Sequence, residues 1–62
     1  MKTGDMVRRF DEEARLELGA GLVIRMEVDR SRLGSKYAIV MWSNHGVSWE
    51  IPEDLEMMHE SR

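Results

Sequence analysis

The stretch MWSNHGVSWE, residues 41–50, places a turn sequence between two apolar runs. Within it, Ser43-Asn44-His45-Gly46 predicts a tight turn, because Asn and Gly readily adopt the left-handed backbone conformation that hairpin turns need. Apolar residues recur at every second position on each side of the turn, which is the period of a β-strand. The stretch therefore predicts a β-hairpin, and with it an all-β fold.

The strand before the turn, residues 36–42, is apolar on both faces. One row consists of Ala38, Val40 and Trp42, and the other of Tyr37, Ile39 and Met41. One row belongs to the core, and a second apolar row is either covered by another part of the protein or exposed as a binding surface. We take Tyr37, Ile39 and Met41 as a candidate protein interface. Cover of this row by Leu16 and Leu18 remains open as an alternative.

The strand after the turn is predicted to bury one face only. Val47, Trp49 and Ile51 alternate there with Ser48 and Glu50. Both tryptophans of the chain are predicted to belong to the core, since a small barrel needs large side chains to fill its interior.

Two further strands are predicted upstream, over residues 6–10 and 22–30. In the second, LVIRMEVDR, the alternation predicts that one row, directed to one side of the sheet, consists of Leu22, Ile24, Met26 and Val28. The segment between the two strands, DEEARLEL at residues 11–18, is too short for an independent helix. It predicts a long loop with one helical turn.

The end of the chain completes the order of elements. Pro52 cannot donate to a strand ladder, and Pro52-Glu53-Asp54 suits a single 3₁₀ turn. Residues 55–59 predict a short closing strand. This order is that of a small SH3-like five-stranded barrel, in which closure removes the exposed strand edges. Residues 1–62 are predicted to form one such domain.

Composition limits the class of protein. The 62 residues include no cysteine, which excludes disulfides and thiolate metal sites and fits a reducing cytoplasm. No apolar run is long enough to cross a membrane. A chain of this length has a small core, so homo-oligomerisation remains open as a means of stabilisation.

The charges are unevenly distributed along the chain. A net charge of −3 disfavours nucleic-acid binding, but a basic face formed by the first half of the chain keeps it as the alternative function. The residues of this candidate nucleic-acid face are Arg8, Arg9, Arg25, Arg30, Arg32 and Lys36.

Several short motifs resemble those of small SH3-like proteins encoded by bacteriophages, particularly marine phages. The matching segments are Gly4-Asp5-Met6-Val7, Gly19-Ala20-Gly21-Leu22-Val23, Val40-Met41-Trp42-Ser43, Gly46-Val47-Ser48-Trp49-Glu50 and Leu55-Glu56. The resemblance covers nearly the whole chain and implies the barrel fold, a viral origin and residence in the host cytoplasm. It implies no activity, because these proteins mostly have none assigned.

The opening Gly4-Asp5-Met6-Val7-Arg8 is also similar to that of the plasmid-borne type II dihydrofolate reductases, SH3-like chains that assemble into tetramers. Their pore is lined by a V-Q-I-Y segment, whereas the matching residues 47–51 here contain neither Gln nor Tyr. The resemblance therefore implies assembly through a barrel face and not that activity.

No catalytic, cofactor-binding or metal-binding residues are predicted. Ser43 and His45 lie two positions apart in a turn, with no nearby third group to orient the imidazole. The acidic runs at 11–13 and 53–54 lack the alternating ligands and the glycine of a calcium loop. We therefore expect a non-enzymatic protein-interaction module whose partner is another protein or a second copy of itself.

Overall fold

The computed structural model describes residues 1–58, which form five strands, one α-helix and two 3₁₀ helices. The strands are β1 (Met6–Arg9), β2 (Gly21–Asp29), β3 (Ser35–Trp42), β4 (Gly46–Glu50) and β5 (Leu55–Met57), with α1 (Glu12–Leu18) between β1 and β2. The 3₁₀ helices are Arg30–Arg32 and Pro52–Asp54, and the second confirms the turn predicted from Pro52. The predicted end of the last strand at His59 lies outside the described residues.

All five strands belong to one antiparallel sheet of order β4-β3-β2-β1-β5. The predicted all-β class is therefore confirmed. The sheet is not closed, because β4 and β5 lie at its two edges without pairing to each other. The structure thus shows an open five-stranded sheet where the element order predicted a closed barrel.

The helical turn predicted within residues 11–18 is a helix of seven residues. Arg15 connects this helix to the end of β1, because the Arg15 guanidinium donates hydrogen bonds to the carbonyl oxygens of Arg9 and Phe10 at 3.3 and 2.9 Å. Gly19 ends the helix with φ of 77°, a conformation that disfavours side chains with a Cβ. No helix within residues 1–58 is long and apolar enough to cross a membrane.

The prediction that Leu22, Ile24, Met26 and Val28 share one face of β2 is wrong, because the strand contains a β-bulge. Pairing with β3 shifts register between Val23 and Arg25, so Ile24 is an additional residue in the ladder. The extra residue places Val23, which is fully buried, on the same face as Met26. Leu22 and Ile24, predicted to share that row, are exposed instead. Strict alternation predicts the face of a strand only where the ladder is regular.

The core lies on one face of the curled sheet. Its buried residues are Val7, Val23, Ala38, Val40, Trp42 and Leu55. Trp42 is 3% exposed, which confirms that this ring belongs to the core. Its six-membered ring lies so close to Gly21 that a Cβ added at that glycine would be 2.8 Å from the ring carbons. Gly21 is therefore the residue that makes room for the largest core side chain.

The predicted burial of Trp49 is wrong. The β3–β4 register pairs Trp49 with Ile39 and Val47 with Met41, so the apolar row of β4 lies on the face opposite the core. Trp49 is 64% exposed and Val47 is also exposed. The buried-face positions of β4 are Ser48 and Glu50, the two that the alternation predicted to face solvent.

Candidate protein-interaction site

Three strands present apolar side chains together on the face of the sheet that is opposite the core. The register pairs Leu22 with Met41 and Met41 with Val47, while Ile39 pairs with Trp49. Directly paired residues of antiparallel strands project to the same side. With Tyr37, the adjoining member of the β3 row, they form what we call the outer patch: Leu22, Tyr37, Ile39, Met41, Val47 and Trp49.

The outer patch is open to solvent. Met41 is 48% exposed, Leu22, Val47 and Trp49 are also exposed, and Tyr37 and Ile39 are half-buried. Helix α1 does not cover it, because Leu18 packs against the buried core on the other side of the sheet and Leu16 is 78% exposed. The alternative that residues 11–18 cover the Tyr37, Ile39 and Met41 row is therefore wrong.

At one end of the outer patch, two aromatic rings meet. The centroids of Tyr37 and Trp49 are 5.8 Å apart and their planes are inclined at 67°, an edge-to-face pair across β3 and β4. The Tyr37 hydroxyl donates to the Glu27 carboxylate at 3.3 Å. Partial burial raises the pKa of Tyr37, and the negative charges of Glu27 and Asp29 raise it further. Two carboxylates therefore lie near the Tyr37 hydroxyl, and Arg25 pairs with that of Glu27.

A groove of about 370 Å³ begins at this aromatic pair. Its lining includes the apolar residues Ile51 and Pro52 and the acidic residues Asp29 and Glu53. Ser35 and Lys36 complete the lining. The groove is thus continuous with the outer patch through Tyr37 and Trp49, and it adds charged groups to an otherwise apolar surface.

The predicted basic residues do not form one free cationic face. Arg8 pairs with Glu56 across β1 and β5, with 3.0 Å between Nε and Oε1. Arg25 lies on the same face as the outer patch and pairs with Glu27. An ion pair of this kind lowers the positive potential that a phosphate backbone would meet.

The other members of the basic set lie at different places in the fold. Arg30 and Arg32 belong to the first 3₁₀ helix, and Lys36 lies near the start of β3. Arg30 and Lys36 are exposed and form no ion pair with the described residues. These two therefore contribute unpaired positive charge next to the groove and away from Arg8.

The remaining arginine of the set, Arg9, belongs to an internal polar network that the sequence did not predict. The Trp42 indole donates to Ser48 Oγ at 2.9 Å, and Ser48 Oγ donates to Glu50 Oε2 at 2.8 Å. The other Glu50 oxygen accepts from Arg9 Nη1 at 3.0 Å, and Arg9 Nη2 lies 3.2 Å from Asp11. The network pairs the Trp42 indole, the Ser48 hydroxyl and the Glu50 carboxylate at the margin of the core, whereas Arg9 Nε is buried without a hydrogen-bond partner among the described residues.

Ser43 and His45 are both exposed in the β3–β4 turn. Within residues 1–58, no group of three or more His, Asp or Glu side chains has the proximity to hold a metal ion. We therefore take the outer patch and the adjoining groove as the candidate functional site.

Sequence reasoning identified three members of the outer patch and missed Leu22, Val47 and Trp49. The hairpin itself contained the missing information, because the closing pair Trp42–Gly46 places Val47 opposite Met41. Assigning the side of β4 from this register, rather than from the apolarity of its residues, would have placed Trp49 correctly.

Comparison of the chain with protein-family models, with curated proteins and with solved structures found no match in any of the three.

Proposed function

We propose that this protein is a non-enzymatic interaction module that binds a protein partner, either another protein or a second copy of itself, through the outer patch. One observation carries the proposal. The strand register assembles apolar side chains of β2, β3 and β4 side by side on the face opposite the core, and α1 packs elsewhere. Exposed contiguous apolar surfaces of this kind mark sites of protein association.

We further propose that the fold is a variant of the SH3-like barrel and that the chain is of the phage type. The order β4-β3-β2-β1-β5 and the 3₁₀ helix immediately before β5 support the fold proposal. The Arg9–Glu50 contact also supports it, since it draws β1 and β4 together across the interior. The phage proposal is supported by the motifs of the sequence alone.

The test is the association state of the unmodified protein and of two matched variants. Light-scattering mass is measured over a range of protein concentrations at low and high salt. Apolar association is expected to persist at high salt, because salt screens charges and not hydrophobic contacts. Met41→Glu introduces a charge into the outer patch and is expected to abolish association. Leu16→Glu introduces the same charge on α1 and should leave the mass unchanged.

A strictly monomeric protein would exclude self-association and leave a foreign partner. In that case the three proteins are immobilised, and host proteins retained by each are compared. Partners retained by the unmodified protein and Leu16→Glu but lost by Met41→Glu would support the proposal. Equal retention by all three would contradict the use of the outer patch.

A further inference from the structure

We infer that the groove beside the outer patch is a binding site for a cationic side chain, lysine or arginine, of the protein partner. The inference rests on the proposed function for the source of that side chain, since the groove opens directly onto the outer patch at Tyr37 and Trp49. A partner segment that covers Ile39 and Met41 with apolar side chains would place a neighbouring residue at the groove.

The charge of the groove favours a cation. Asp29 and Glu53 border it. Asp29 accepts hydrogen bonds only from neutral donors of Ser31, its backbone N–H and its hydroxyl, among the contacts of the described residues. Glu53 likewise forms no ion pair with the side chains that the structure describes. The lining itself holds one cation, Lys36 on an exposed side chain, so it carries two negative charges and one positive charge, and Arg30 lies outside it.

The carboxylates of Asp29 and Glu53 differ from most others near the sheet in having no arginine or lysine partner among the described side chains. Most carboxylates near the sheet are already neutralised by arginines or a lysine, namely Asp5, Asp11, Glu27, Glu50 and Glu56. The described acidic residues without such a partner lie on α1 or around the second 3₁₀ helix and its groove. Asp29 and Glu53 share the lining of the groove with the rings of Tyr37 and Trp49. The lining that contains the two rings therefore carries more acidic than basic residues.

The remaining lining matches the shape of a long basic side chain. Lysine and arginine carry an apolar stem below a charged head, and they bury the stem against apolar surface while the head seeks anions or π-systems. Ile51 and Pro52 provide the apolar wall for the stem. The rings of Tyr37 and Trp49 attract a cation through their quadrupoles, and the carboxylates of Asp29 and Glu53 neutralise it. An anionic or a purely apolar ligand would leave these carboxylates unpaired.

The experiment uses small probes that represent the two side chains, so that it does not depend on knowing the partner. n-Butylammonium and guanidinium are titrated into the isotopically labelled protein at constant ionic strength, with n-butanol as the neutral control. The Trp49 indole N–H resonance is expected to shift saturably with the cations and not with butanol. The buried Trp42 indole serves as an internal reference and should not shift.

Two charge-removing substitutions test which groups attract the cation. Glu53→Gln, alone and with Asp29→Asn, is expected to weaken cation binding on the order of threefold or more. Asn at position 29 retains an oxygen that can accept from Ser31, so the adjoining 3₁₀ helix is preserved. Glu13→Gln on α1 removes the same charge at a distance and should leave the affinity unchanged.

Each outcome has a definite meaning. A response to only one of the two cations would support the site and assign it to lysine or to arginine. Equal responses to butylammonium and butanol, no response to either cation, or affinities unaffected by both substitutions would overturn the inference. Met41→Glu lies in the outer patch and outside the groove lining. Loss of partner binding in that variant with intact cation binding would separate the proposed function from this inference.

Discussion

The guanidinium of Arg9 lies 3.0 Å from the carboxylate of Glu50, although their strands, β1 and β4, are separated in the sheet by β2 and β3. A flat sheet would hold such strands too far apart for side-chain contact, given a spacing of about 4.8 Å between neighbours. The contact therefore requires the sheet to curl strongly around the core. Side chains, and not a backbone ladder, join β1 to β4 on the open side.

Removal of either member of this ion pair should destabilise the protein. The Arg9 and Glu50 side chains are 25% and 11% exposed. Removal of one would therefore leave the charge of the other largely desolvated and without its partner. A double-mutant cycle with Arg9→Met and Glu50→Gln, followed by urea denaturation, is expected to give a coupling energy of about 1 kcal/mol. The exposed pair Arg25–Glu27 is the control and should couple more weakly. Equal coupling in both cycles would contradict the closing role of Arg9.

The two tryptophans should behave oppositely in solution. Trp42 is buried and Trp49 is 64% exposed. In Trp49→Phe, the remaining Trp42 should emit at short wavelength and resist iodide quenching. In Trp42→Phe, the remaining Trp49 should emit at long wavelength and be quenched readily. Trp42→Ala should lower the free energy of unfolding by about 3–5 kcal/mol, whereas Trp49→Ala should change it by less than about 1 kcal/mol. Similar quenching of the two rings would contradict the hairpin register.

The single tyrosine provides a direct report on the edge of the outer patch. Burial and the charges of Glu27 and Asp29 raise the pKa of Tyr37 above the ordinary value of 10.0. The unfolded chain therefore loses the phenolic proton at lower pH than the folded chain does. The contribution to stability is complete below the ordinary pKa and is lost as pH rises from that value through the folded pKa.

The measurement is the tyrosinate absorbance during an alkaline titration of the folded protein. The midpoint should lie above that of a blocked tyrosine, and Glu27→Gln should lower it toward the ordinary value. Glu12→Gln, which removes a carboxylate on α1, should not move it. A midpoint in the unmodified protein equal to that of free tyrosine would show that Glu27 does not contact the hydroxyl.

Nucleic-acid binding, the alternative predicted from the basic residues, should be weak and strongly dependent on salt. The ion pairs of Arg8, Arg9 and Arg25 reduce the charge available to phosphates. Retention on immobilised DNA or RNA is expected to disappear on raising the salt to physiological concentration. Binding that survived this change and was lost in the Arg30→Ala, Lys36→Ala double variant would instead support a nucleic-acid function for the groove side of the protein.

Features that depend on neighbours in the chain were predicted well. Alternation located the strands, Pro52 located the 3₁₀ helix, and the Asn-His-Gly sequence located the hairpin turn, because each acts through backbone conformation within a few residues. The helix was placed correctly but judged too short, because the sequence does not reveal the hydrogen bonds that Arg15 donates to the carbonyl oxygens of Arg9 and Phe10. Such contacts have no local signature.

The face of the sheet on which each apolar side chain lies depends on how the strands pair. The bulge at Ile24 reversed the face of the first half of β2, and the register of the hairpin put Trp49 opposite Ile39 instead of in the core. Apolarity alone could not reveal this, because Tyr37, Ile39 and Met41 made both faces of β3 equally suitable for burial. Composition and local pattern therefore settle that this chain forms a small β-sheet. Which apolar row becomes core and which becomes the outer patch follows from the register and curl of the sheet, because a shift of one residue exchanges its two faces.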